Sequence, residues 1–200
     1  MPRIPKPSES HIPELNRLAN AEMAKRSLRV SFIYVPLTII ISLVTDLHKS
    51  HPYYCLAFVV LYLVLGTIRT QHARRFEEIH DKNTDLWMKH FTILTMVPAL
   101  ALGSAVPLVF FSQGAGWDLV VCLMSTTGIS AGATSSLSAR KGIFRAFLTV
   151  VLVPSILTLL IFAQGNAQAL SILVSMYLGQ ILILGGYFHA EFWAGLEGQY

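Results

Sequence analysis

Charge is what this sequence has least of. Asp, Glu, Lys and Arg make up 13% of its 200 residues, where a soluble domain carries about 25%. That leaves too few charges to clothe a water-facing globule of this length. Cysteine is nearly absent: two residues cannot build a disulfide scaffold. Polar low-complexity sequence is missing too, and a chain that is 54% hydrophobic is not intrinsically disordered. The 13 glycines and 9 prolines follow no collagen-like period. What the chain does have is long apolar runs, which make it an integral membrane protein.

A spanning helix needs about 20 mostly apolar residues. Six stretches are read as spans: 28–47, 52–68, 91–111, 117–137, 143–163 and 169–188. No Asp, Glu, Lys or Arg lies in the middle of any of them, as expected where a mid-bilayer charge costs several kcal/mol. Tyr53, Tyr54, Trp87, Trp117 and Trp193 mark span ends, where an amphipathic ring suits the headgroup layer. The fold class predicted is all-α, a polytopic membrane bundle of six transmembrane helices.

Of the 15 Lys and Arg residues, all but Lys49 fall in the N-terminal segment, the loop between spans two and three, or the loop between spans four and five. The positive-inside rule then predicts an inner-membrane protein with both termini cytoplasmic. The basic residues thereby report topology, and no nucleic-acid partner is expected. The first apolar run starts too late and runs too long for a cleaved signal peptide, so it reads as a retained anchor. Three parts are expected: a cytoplasmic segment over 1–27 with a short helix from near Ile12, the six-helix domain over 28–188, and the start of a cytoplasmic output helix over 189–200. The 70–90 loop should extend its flanking helices.

The fourth span is the least apolar. Ser125, Thr126, Gly128, Ser130, Gly132, Thr134 and Ser136 crowd it, with Gly128, Gly132 and Ser136 four apart. That spacing serves close helix packing, the commoner use, or forms a small polar groove that receives a ligand. Pro36, Pro98, Pro107 and Pro154 lie inside spans and should kink them, each removing one backbone hydrogen bond. Gly179, Gly185 and Gly186 permit close approach or bending in span six.

Metal and catalytic chemistry find little footing. Asp46, His48, His51 and Cys55 share the first outer loop, where His48 and His51 are weak metal candidates without a motif's spacing. Glu77 and His80 have the spacing of half a carboxylate di-iron site, and the sequence supplies no second half. Cys55 and Cys122 read as two separate thiols. No catalytic residue and no cofactor is expected within these 200 residues.

In order along the chain come G-T-I-R-T-Q-H-A-R-R-F (66–76), D-L-W (85–87), A-G-A-T-S-S-L-S-A (131–139), F-R-A-F-L (144–148), V-P-S-I-L (153–157) and F-H-A-E-F-W-A-G-L (188–196). This series resembles the six-span N-terminal membrane region of bacterial hybrid sensor histidine kinases. A similar region precedes some diguanylate cyclases. The resemblance runs from about Glu14 to the end. It implies a sensory and anchoring input module in the lipid bilayer, taking a small lipophilic ligand or a membrane signal. Such a module would pair as a homodimer through its output helix. If the chain continues, the resemblance implies a kinase or cyclase domain beyond it. The sequence holds no phospho-accepting histidine box, and His189 lacks the Arg and Pro that follow a kinase histidine. A small permease or channel subunit, with span four as a polar path, is the alternative; an assembly factor is a third class.

Overall fold

The computed structural model describes residues 12–198. They form ten helices: α1 (Ile12–Val30), α2 (Tyr34–Val44), α3 (Leu47–Ser50), α4 (Pro52–Arg74), α5 (Phe76–His80), α6 (Thr84–Gly103), α7 (Ala105–Gln113), α8 (Trp117–Ser136), α9 (Lys141–Phe162) and α10 (Asn166–Glu197). No strand occurs among the described residues. Five helical segments are long and apolar enough to cross a bilayer: Pro52–Arg74, Thr84–Gln113, Trp117–Ser136, Lys141–Phe162 and Asn166–Glu197. The chain is an all-helical, multi-pass membrane protein.

The first of the six expected spans is not one helix. Residues 31–33 turn between α1 and α2, and α2 has 11 residues, about 16 Å of rise. Proline explains the break. Pro36 has no N–H for the Phe32 carbonyl, and its ring crowds that carbonyl. The Phe32 oxygen takes the Val35 N–H instead, at 3.1 Å. Ser31 Oγ meanwhile donates back to the Ser27 carbonyl at 2.7 Å. The elbow is packed from outside: at Gly66 of α4 a Cβ would lie 2.9 Å from the Ser31 oxygen.

The other prolines act differently. α6 and α9 continue through Pro98 and Pro154. Near Pro107 the segment breaks into α6 and α7 at Ser104. Between α4 and α6 the chain stays mostly helical. Asn83 caps α6, its Oδ1 accepting the Leu86 N–H at 2.9 Å, the usual use of Asn at a helix start.

α9 is the centre of the bundle. Phe144, Phe147, Leu148, Val151, Leu152 and Leu159 are buried along it, against α6, α8 and α10. Apolar burial between helices gains little in lipid, so association rests on close van der Waals fit. Gly103 supplies it: a Cβ there would run into the Val150 carbonyl of α9. Pro154 has no N–H to give that carbonyl, so the bare oxygen and the bare glycine meet. At Gly185 of α10, the Phe144 ring fills the space a side chain would need. Outside this core, Leu43, Leu56, Ile161, Ile172, Leu173 and Ile183 are exposed around the bundle, as lipid contact requires.

The helices alternate in direction, so α1, α5, residues 137–140 and the end of α10 gather at one end of the bundle. Among the described residues every Lys and Arg except Lys49 belongs to this basic end. At the opposite end the Gln113 amide donates to the Thr45 carbonyl at 2.6 Å, joining α7 to the turn after α2.

Candidate functional site

The hydroxyls of α8 are spent within their own helix. Ser125 donates to the Val121 carbonyl, Thr126 to Cys122 and Leu123, Ser130 to Thr126, Thr134 to Ala131, and Ser136 to Gly132 and Ala133. Such back-bonding satisfies a hydroxyl in an apolar setting. The two glycines of the stripe touch no neighbouring helix: a Cβ at Gly128 or Gly132 would meet nothing within 4 Å. They face a cavity of about 110 Å³ walled by α8, the α1–α2 elbow, α4, α6 and Phe147. Gly128, Gly132 and Ser136 line it together, with Tyr34, Thr95 and Arg69.

Among the described residues Arg69 is the one charged residue in that lining. It is 5% exposed. Its Nε donates to Ser27 Oγ at 3.1 Å, and its guanidinium carbon lies 5.7 Å from the centre of the Phe91 ring. Among the described residues no carboxylate forms an ion pair with it. Tyr34, a hydrogen-bond partner of Arg69, stacks on Tyr62, ring centres 5.2 Å apart. Thr95 is satisfied by the Phe91 carbonyl. Sequence reasoning took Arg69 as a loop charge just beyond span two. The signal that places it is helical spacing: Tyr62, Gly66, Arg69 and Ala73 recur at three and four residues, and all four are buried.

A second polar cluster lies at the basic end. Asn20 of α1 is fully buried and bridges two distant parts of the chain. Its Nδ2 donates to His80 Nε2 at 3.1 Å, and its Oδ1 accepts from Arg140 Nη2 at 3.0 Å. His72 stacks on the fully buried Trp87 and donates to its carbonyl at 3.2 Å. Phe76 and Phe91 complete the aromatic packing around Trp87. At the surface Arg17 pairs with Asp81 at 3.0 Å. The hydrogen bond from Arg17 holds the Asp81 carboxyl below the usual carboxylate range and raises the Arg17 guanidinium in turn. Burial pulls the Arg140 guanidinium down from its ordinary value.

Three contacts tie α10 to the end of α8. His189 Nδ1 donates to the Ser138 carbonyl at 2.6 Å, and Trp193 Nε1 donates to the Ala139 carbonyl at 3.3 Å. Arg26 of α1 completes the junction: it donates to the Ser135 carbonyl and lies 5.1 Å over the Phe192 ring.

The remaining sequence candidates are scattered. His48 bonds through Nδ1 to the Ser42 carbonyl at 2.9 Å, and His51 lies edge-on to Tyr54. Among the described residues no three His, Cys, Asp or Glu side chains gather as a metal site. Glu77 is exposed while His80 is turned into the Asn20 cluster. Cys55 and Cys122 are free thiols.

No family model, no curated protein and no solved structure matches this chain.

Proposed function

We propose that this chain is the membrane-embedded sensory and anchoring input module of a bacterial signal-transduction protein, of the kind that precedes sensor histidine kinases. It crosses the inner membrane six times, the elbow and α2 making the first crossing, with both termini cytoplasmic and the basic end inward. The module pairs as a homodimer through the helix that continues α10. One observation carries the reading: the wall of the α8 cavity is hydrogen-bonded to α10. Tyr177 of α10 donates to the Thr127 carbonyl beside Gly128, and just past the end of α8 the carbonyls of Ser138 and Ala139 hold His189 and Trp193. His189 and Trp193 lie in the last turns of α10, which ends at Glu197 without a break, so a shift at the end of α8 acts directly on the output end of that helix. Small packed elements with two arrangements are how such signals travel.

The test uses a built-in occupant. Gly132→Trp fills the cavity, since nothing stands where its side chain begins. Spin labels at Glu78→Cys and Glu191→Cys, both exposed positions, with Cys55 and Cys122 replaced by Ala, report the distance from α5 to α10. The expected result is a shifted distance distribution in Gly132→Trp that Trp193→Ala abolishes. An unchanged distribution, together with solute uptake by the unlabelled chain in liposomes, overturns the sensor reading in favour of a permease.

A further inference from the structure

The same cavity has a chemistry that selects its occupant. A guanidinium removed from water needs an anion or a full set of acceptors. Arg69 has no anion among the described residues: Ser27 Oγ accepts from its Nε, the Tyr34 hydroxyl is a second hydrogen-bond partner, Phe91 offers a ring face, and no Asp or Glu pairs with it. The rest of the wall is apolar, with Ile33, Ile129, Ala133 and Leu137 prominent. The cavity opens sideways. Ile33 is 47% exposed, and Gly128 and Gly132 are exposed on the facing helix, where a Cβ would meet nothing within 4 Å. The depth fits too. Arg69 lies five residues before the end of α4, about 7 Å along the helix, at the level where headgroups meet hydrocarbon at the basic end.

A buried cation at headgroup depth, an apolar wall and an opening toward lipid describe a seat for one kind of molecule. We infer that the cavity between α2, α4 and α8 binds an anionic amphiphile. Its carboxylate or phosphate sits on the Arg69 guanidinium, and its alkyl chain leaves past Ile33 and Gly132 into the bilayer. Arginine suits this better than lysine, because its planar fork meets two oxygens at once. The inference rests on the sensor reading for its purpose. It stands or falls on binding alone, so the two fail separately: lost binding with a shifted label distance removes the ligand and leaves the sensor.

The experiment is competition for radiolabelled oleate by the full chain in a neutral maltoside detergent. Saturable binding is expected, with oleyl alcohol competing at least about tenfold more weakly than oleate, since it lacks the charge that strengthens a hydrogen bond. Arg69→Gln should weaken oleate by about tenfold or more, and Arg69→Lys by less, because it keeps the charge and loses the fork. Gly132→Phe leaves Arg69 in place and should block entry. It decides the matter if Arg69→Gln does not fold. Competition by phosphatidylglycerol identifies a phospholipid as the natural source, and its failure to compete identifies a single-chain carboxylate; either supports the proposal. Oleyl alcohol competing as well as oleate would overturn it. So would displacement of oleate by inorganic phosphate alone, or wild-type binding in Gly132→Phe.

Discussion

The two sides of this bundle use glycine in opposite ways. On the α6–α9–α10 side, Gly103 and Gly185 stand where another residue already occupies the side-chain space. On the α8 side, Gly128 and Gly132 stand beside a gap. The first pair lets helices touch, and the second lines a space between them. A small residue in a membrane helix is thus not in itself a contact. What lies opposite decides its role, and the opposite residue is distant in sequence.

The contrast breaks most visibly at Gly103. Gly103→Val forces α6 away from the Val150 carbonyl and should cost about 3 kcal/mol or more, the upper end for overpacking. Denaturation of the purified chain by graded SDS would read it. Tolerance there would mean that α6 and α9 are not in backbone contact. Gly185→Leu should cost less, about 1–3 kcal/mol, because the Phe144 ring can rotate where a backbone carbonyl cannot. Gly132→Ala should fall between no change and a gain of about 1 kcal/mol, since alanine is the better helix former and the gap accepts a methyl. A loss as large as that of Gly185→Leu would abolish the distinction between the two sides.

The smallest effect belongs to neither side. The Asp81 carboxyl is lowered by Arg17, so it binds protons more readily in the unfolded chain than in the folded one. Its contribution is therefore present above the usual carboxylate pKa of about 4 and is lost as pH falls through the lower folded value. Asp81→Asn should be slightly less stable than wild type at pH 6, and the difference should vanish near pH 2. Both groups are exposed, so added salt should erode the difference at pH 6 as well.

Composition and the apolar runs already placed the chain in the membrane as an all-helical protein. Five of the six expected runs coincide with long apolar helices. The run at 28–47 does not, because hydropathy counts side chains while Pro36 acts on the backbone. Its effect reaches back to Phe32 and ends the regular hydrogen bonding there. The site was legible in part. The spacing of Gly128, Gly132 and Ser136 marked α8 as special, yet it was equally compatible with packing and with a groove. Arg69 was hidden by its position, one residue past the apolar run. Only the helical face it shares with Tyr62 and Gly66 puts it inside. The ties of α1 to residues 135–140 and 189–193 bridge more than a hundred positions, as in the bond between Arg140 and Asn20. No local pattern carries such a pairing.

The length of α10 has a consequence for how the bundle meets bilayers of different thickness. Its 32 residues give a rod of about 48 Å in a hydrocarbon slab of about 30 Å. Its apolar run, 169–188, matches the slab at about 30 Å, so the rest of the rod projects past the hydrocarbon, and a thinner bilayer asks the run to tilt. For a rod that long, a tilt change of about 10° moves one end sideways by about 8 Å relative to the other. A small tilt of the apolar run is thereby enlarged at the basic end of α10.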